Sequence, residues 1–433
     1  MSRTLRTTAA ALAALGLLTA CSSAGSSSDT GGEVTLTYWD NNAGPARTPL
    51  MQHLIDGFEK SHPGITVKYV GVTSSEIAEK YNTAIASGST PDVGGVTTAL
   101  LASLTAQKAL AKLDDRYAGS PLNGKLSANF LTISRSAAGG KGLYQLPSSG
   151  NQDVIWYRAD KFKEAGLATP RTWDELFAAA ARLTDRSKNQ YGFTIRGGAG
   201  SGFQILSEAY AYSGLDAMFD ANGTSTVADP RNIALIEKIA AQYKATTPEA
   251  DVSNAYPQML AQFQAGQVMT VHHNLGSTRD VRTALGDKVA GMLLPAGPDG
   301  TAILANPVDG FGLFEKSRHK DQAWAFMEYL DSHTANSYWN ENVGQIPANT
   351  EAYADDWYVR SGITKQAGDA LNSTTARLVQ PPVHLPQYSK ITKTDAEPNF
   401  QKVLLGRMSA ADFAESLADA FTKAQQTYRA KNG

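Results

Sequence analysis

Between Leu143 and Leu176 the chain reads LYQLPSSGNQDVIWYRADKFKEAGLATPRTWDEL, and this stretch limits the possible folds more than any other. A short strand is expected from Leu143 to Leu146, then the breaker cluster Pro147-Ser148-Ser149-Gly150-Asn151, then a second apolar run from Asp153 to Tyr157. The second run is rich in β-branched and aromatic residues, which suit a buried, pleated position. The pattern predicts that the chain leaves one sheet, crosses an exposed link and enters another. A helix from Ala159 to Ala165 should follow, stopped by Gly166, which tolerates the left-handed conformation of a helix end. Thr172 and Glu175 then form a capping box: the threonine hydroxyl accepts from the Glu175 amide while the carboxylate reaches back. Two sheets joined by such a link imply two bodies able to move against each other.

The chain before this stretch alternates strands and helices. Strands are expected at Glu33 to Trp39, Ile65 to Val70 and Asp92 to Val96, and helices at Thr48 to Ser61, Ser74 to Ser87 and from Leu100 to Gln107. This order implies a parallel, doubly wound sheet, whose ligands sit at the carboxyl ends of the strands. Trp39, Asp40, Asn41 and Thr97 therefore fall on a rim. Beyond the link, expected elements include a strand at Tyr191 to Ile195, helices at Phe203 to Ser213 and Pro230 to Lys244, and a strand at Val268 to Val271 followed by a polar rim from His272 to Ser277. Further crossings are expected at Asn306 to Gly310 and at Val343 to Pro347, ahead of a helical remainder. The expected division is one lobe of residues 33–147 plus 310–344 and a second of 151–306 plus 348–433, with a cleft between them.

Charge narrows the partners. With 39 basic and 41 acidic residues, the chain lacks the basic excess of a nucleic-acid binder. No internal run reaches the ~18 apolar residues of a membrane span. Residues 1–21 read as an export signal, with Arg3 and Arg6 ahead of an apolar run. The signal ends in Leu18-Thr19-Ala20-Cys21, which resembles the lipobox of bacterial lipoproteins. That resemblance implies a lipid on Cys21, the chain's single cysteine, and residues 22–32 then read as a flexible tether.

Several ordered motifs carry a second resemblance. Among them are Phe58-Glu59-Lys60 through His62-Pro63-Gly64, Gly88-Ser89-Thr90-Pro91-Asp92-Val93, Trp156-Tyr157-Arg158, Pro170-Arg171-Thr172-Trp173 and Gly310-Phe311-Gly312-Leu313-Phe314. Together they resemble the family 1 extracellular solute-binding proteins of ATP-driven sugar importers, the group that includes maltose-binding protein. The resemblance implies an α/β, two-lobed periplasmic-binding-protein-like fold of type II with three hinge crossings. It also implies a monomer lipid-anchored to the outer face of the cytoplasmic membrane, which captures a carbohydrate and delivers it to the transmembrane subunits of an ABC permease, without cofactor or catalysis. Asp40, Asn41, Asn151 and the loop around Asn274 match positions that touch sugar in the family. Val96-Thr97-Thr98 and His272-His273-Asn274-Leu275 depart from it, standing where aromatics are often found.

Trp39 and Trp339 are expected to stack on ligand or to pack, and Gln345 to serve the hinge or the ligand. His272 and His273 have no carboxylate nearby in sequence and read as hydrogen-bonding rim residues rather than metal ligands. Gly119 to Lys125 has phosphate-loop spacing but is followed by Leu126, and neither HExxH nor GxSxG occurs. Two alternatives stay open. A phosphorylated-polyol binder such as one for glycerol 3-phosphate needs Arg196, Arg279 or Arg377 facing inward. An envelope glycoside-processing enzyme needs two carboxylates flanking the cleft at ~5–9.5 Å.

Overall fold

A computed structural model describes residues 33–432 except Ser75 and Thr374; the signal segment, Cys21 and the tether lie outside the described residues. Strand β1 (Val34–Asp40) buries Leu36, Tyr38 and Asp40 on alternate positions. It pairs in parallel with β2 (Ile65–Gly71) and β3 (Val93–Thr97). The helices between these strands cover opposite faces. Thr48–Ser61 presses Met51, Leu54, Ile55 and Phe58 into one core with Leu36 and Tyr38, while Ile77–Ser87 presses Ile77, Tyr81 and Ala84 to the other side. Each such side chain stabilises the fold by roughly 1.5–3 kcal/mol relative to exposure.

The remaining strands are β4 (Leu146–Gly150), β5 (Asp153–Arg158), β6 (Thr270–Asn274), β7 (Val289–Leu293), β8 (Ile303–Leu304), β9 (Asp309–Leu313), β10 (Ile346–Pro347) and β11 (Leu378–Val379). The first sheet has the order β10-β4-β9-β3-β1-β2. Its parallel character ends at β3, because β9 returns from the second body and pairs antiparallel with both β3 and β4. The three strands read from the sequence are parallel as expected, and the sheet they belong to is mixed.

The expected exposed link at Pro147 to Asn151 is also corrected. All five residues of β4 are buried, and Leu143 to Gln145 lie outside the strand. Ser149 and Gly150 pair with β10 on one side, and Leu146, Pro147 and Ser149 pair with β9 on the other. A register shift between Pro147 and Ser149 accommodates the missing proline N–H. Only Asn151 and Gln152 separate β4 from the next sheet.

The second sheet, β6-β5-β7, is antiparallel. Val154 and Trp156 face a core shared with Phe263, Val281 and Ile363, and Ile155 and Tyr157 face one shared with Trp173, Phe193 and Phe413. The expected strand at Tyr191 to Ile195 makes one bridge, Tyr191 to Val268. Its amides are used elsewhere, with Phe193 N donating to Thr246 O and Ile195 N to Asp251 Oδ2. The capping box forms as read: Glu175 N donates to Thr172 Oγ1, and Thr172 N to Glu175 Oε2. The segment after β10 is not wholly helical, since β11 pairs in parallel with β8. Helix Ile363–Asn372 joins the core that holds both Leu36 and Val154, so apolar packing is continuous from the first sheet to one face of the second.

Candidate functional site

Where the first sheet meets the second, polar side chains collect. Asp40 closes β1 and accepts from Asn42 N and Tyr69 Oη, each at 2.9 Å. Asp309 opens β9 beside its register partner Thr97 and accepts from Gln345 Nε2 at 3.2 Å. Burial pushes both carboxyls above the usual range, and Arg47 partly opposes this in each case. Asn41 Nδ2 and Gln345 Oε1 are buried without hydrogen-bond partners. Gly95 makes room for Asn41, since a Cβ there would meet its Oδ1 at 2.1 Å.

From the second sheet, Asn274 caps a turn by accepting from Gly276 N at 3.1 Å. The space above Gly276 is bounded by Asn274, Asn151 and the Arg47 guanidinium. Arg279 reaches across to the Ala46 carbonyl at 3.4 Å. The structure thus brings Asp40, Asn41, Thr97, Asn151, Asn274 and Gln345 to one seam.

The two tryptophans lie elsewhere. Trp39 stacks on Tyr81 with ring centroids 5.8 Å apart, and Lys80 Nζ sits 4.5 Å from its ring. Trp339 is buried in the main core. Neither borders the large cavity of the molecule.

That cavity, of about 990 Å³, opens beside the seam. Thr98, Leu100 and Tyr144 line it from the first sheet's side, and Asp153, Arg196, Phe203, Gln204 and His272 to Asn274 from the second's. Gln380 to Tyr388 forms a third wall. Within this wall Val383 packs on the cluster containing Tyr81 and Leu101, whereas Leu385 belongs to the core of the second body. The wall therefore spans both halves.

The floor is a buried charge relay. His272 Nδ1 lies 2.5 Å from Glu208 Oε1, and its Nε2 lies 3.6 Å from Asp153 Oδ2. Burial alone would lower the His272 pKa, but the two carboxylates outweigh it and hold the imidazole up at about 9. Asp153 is held below the usual carboxylate range by His272 and Ser207, against its own burial. His273, the next residue, goes the other way: burial, aided by Arg196, pushes it down to about 3. Its ring stacks on Tyr256 at 3.4 Å. Arg196 folds over Gly200, its Nε donating to Ala199 O at 2.6 Å, and it feels Glu397 and Asp153. Of the three arginines considered from sequence, it alone borders the cavity; Arg377 bonds the carbonyls of Gly214 and Asp299.

A sequence model described as bacterial extracellular solute-binding protein matches residues 43–337. The chain belongs to this family. Its members bind and do not transform their solutes, and they work outside the cytoplasm. Among curated relatives, a binding protein of Brucella abortus is 27% identical over 369 residues, covering 81% of this chain and 83% of its own. The mannitol-binding protein of Pseudomonas aeruginosa is 34% identical over 159 residues, 35% of each chain. Among solved structures, the GacH receptor of Streptomyces glaucescens, studied unliganded and with acarbose, superposes with a TM-score of 0.77 at 24% identity, covering 91% of this chain and 99% of that one. This likeness establishes the two-lobed α/β fold of the solute-binding proteins.

Within that fold, only Asn274 of the residues singled out as ligand contacts borders the cavity itself. Asp153, Phe203, Gln204 and the wall at Gln380 to Tyr388 were missed. One signal was available: Asp153 is a charged residue directly ahead of the apolar run Val154 to Tyr157. Its partner His272 looked isolated because Glu208 lies 64 residues away.

Proposed function

We propose that this solute-binding protein captures a sugar or polyol in the cavity between its two lobes and hands it to an ABC permease in the membrane. The observation that carries this reading is the cavity's mixed lining from both sheets. Tyr144, Phe203 and Tyr388 offer flat apolar faces for the C–H side of a sugar. Asp153, Gln204, Asn274 and Asn306 offer partners for hydroxyls, which would otherwise cost ~1–3 kcal/mol each when buried. Relatives described as binding mannitol and acarbose support the same class. A guest touching both sides favours the closed arrangement by its differential affinity for it. The lobes are residues 33–147 plus 310–344 and 151–306 plus 348–433, and Cys21 carries the lipid anchor.

A thermal-shift panel of sugars, polyols, amino acids and peptides tests the assignment. A sugar or polyol present at 100 times its dissociation constant adds about 2.7 kcal/mol of stability. Shifts given only by amino acids or peptides would refute the reading. The anchor has a separate test: the Cys21→Ser chain is expected to leave the membrane fraction of expressing cells, and retention there would count against lipidation.

A further inference from the structure

We propose that the Asp153 carboxylate is the specificity-determining acceptor of the cavity, accepting hydrogen bonds from the hydroxyls of an uncharged diol end of the guest, with His272 and Glu208 as its positioning residues. This rests on the sugar-or-polyol reading above.

Asp153 stands at the start of β5 on the cavity floor. Its Oδ2 is committed, accepting from Ser207 Oγ at 2.5 Å and facing His272 Nε2 at 3.6 Å. The Asn306 side chain lies beside the same carboxyl, whose Oδ1 is the oxygen left for a guest, and a carboxylate oxygen carries two lone pairs. Hydrogen bonds to an ionised acceptor are roughly twice as strong as neutral ones. The acceptor is also rigid. His272 cannot swing away, because Glu208 holds its other nitrogen, and Gln204 Nε2 donates to the same Glu208 oxygen at 3.1 Å. These partners come from three elements, β5, β6 and the helix Ser201–Ser213.

Asp153 is the one carboxylate among the described residues that lines the cavity, and it repels an acidic group placed beside it. Of the charged groups there, Asp153, His272 and Arg196 line the cavity, while Glu208 and Glu397 stand behind them as partners of His272 and Arg196. Glu397 is itself engaged, accepting from Gly200 N at 2.6 Å. The lysines that border the cavity, Lys141, Lys393 and Lys431, are exposed and contribute at its mouth. A uronate or phosphate ester placed at the floor would meet the Asp153 carboxylate, whereas a diol donates to it.

The test is calorimetric titration of the full chain with maltose, maltotriose, mannitol, ribitol, glucuronate and glycerol 3-phosphate. At least one neutral probe is expected to bind, more tightly than either acidic one. Asp153→Asn should weaken that probe tenfold or more, while Asp153→Glu, which keeps the charge, should still reject the acidic probes. In the wild type, affinity for the neutral probe should fall as the pH is raised through about 9, where His272 loses its proton, and this alkaline fall should be absent in Asp153→Asn. A purely structural role for His272 would not link its titration to that carboxylate. The proposal is overturned if Asp153→Asn, folded by circular dichroism, binds within twofold of wild type, or if glucuronate or glycerol 3-phosphate binds more tightly than the neutral probes. If neither neutral nor acidic probes bind the wild type, the sugar-or-polyol reading falls first and takes this inference with it.

Discussion

Trp156→Ala is expected to lower the unfolding free energy by about 3–5 kcal/mol, the usual cost of emptying a large buried aromatic site. Trp156 is 1% exposed and lies on the central strand of the second sheet, opposite Val271 on one side and Gly291 on the other. Its indole Nε1 donates to Ser277 Oγ at 2.8 Å, and that hydroxyl donates to Asn274 O at 2.7 Å. The ring therefore does two things at once: it fills the core and it fixes the turn that carries Asn274 beside the cavity. Trp156→Phe separates these roles, keeping most of the volume while removing the donor. It should cost about 1–2 kcal/mol, within the range for a lost buried hydrogen bond, and should still weaken binding of the best sugar from the panel. Urea unfolding at constant slope measures the first effect. A loss below 1 kcal/mol in the alanine variant would show that the site collapses around the missing ring.

The second large effect is a loss of stability on the alkaline side of neutrality. An unfolded histidine titrates near 6.5, while His272 in the fold holds its proton to about 9. Between these values the folded chain binds a proton that the unfolded chain has released, so stability falls as the pH rises. The His272 contribution is complete below pH 6.5 and gone above 9, and its size is on the order of 3 kcal/mol at 1.36 kcal/mol per pH unit. Asp331, fully buried and pushed up by desolvation, costs stability as the pH climbs from the ordinary carboxylate range towards its raised value. The acid side is a contest. His273, neutral in the fold down to about 3, loses stability as the pH falls below 6.5, while Asp251, pushed up to about 6 by burial, gains it. Urea midpoints measured from pH 6.5 to 9 should therefore decline in the wild type and flatten in His272→Gln, whose deficit is largest near pH 6.5, where Asp153 and Glu208 in the wild type still have the cation between them. A wild-type midpoint independent of pH over that range would remove the buried imidazolium from the account.

Both effects bear on how much of this molecule the chain announces locally. The helix Thr48–Ser61, strands β1 and β2 and the Thr172 capping box follow from residues a few positions apart, because helix and strand periodicities and caps are short-range properties. The ordered motifs along the chain also announced the family. Local rules make Pro147 to Asn151 an exposed link because Pro, Ser, Gly and Asn are breakers; two partner strands and a register shift turn Pro147 to Gly150 into buried sheet. Trp39 lies one residue from the end of β1, yet which neighbour its ring meets depends on where the helix Ile77–Ser87 lies, and that helix supplies Tyr81.

The cavity floor is the extreme case. Asp153, Glu208 and His272 come from separate elements, and no spacing rule links them. By itself the sequence determined the local elements, their order and the kind of protein they build, since each of those depends on near neighbours or on motifs carried whole. Only the tertiary structure decided which polar groups are buried together and so which proton stays on which ring. Burial and charge pairing act through space at a few ångströms, between residues that the chain keeps far apart.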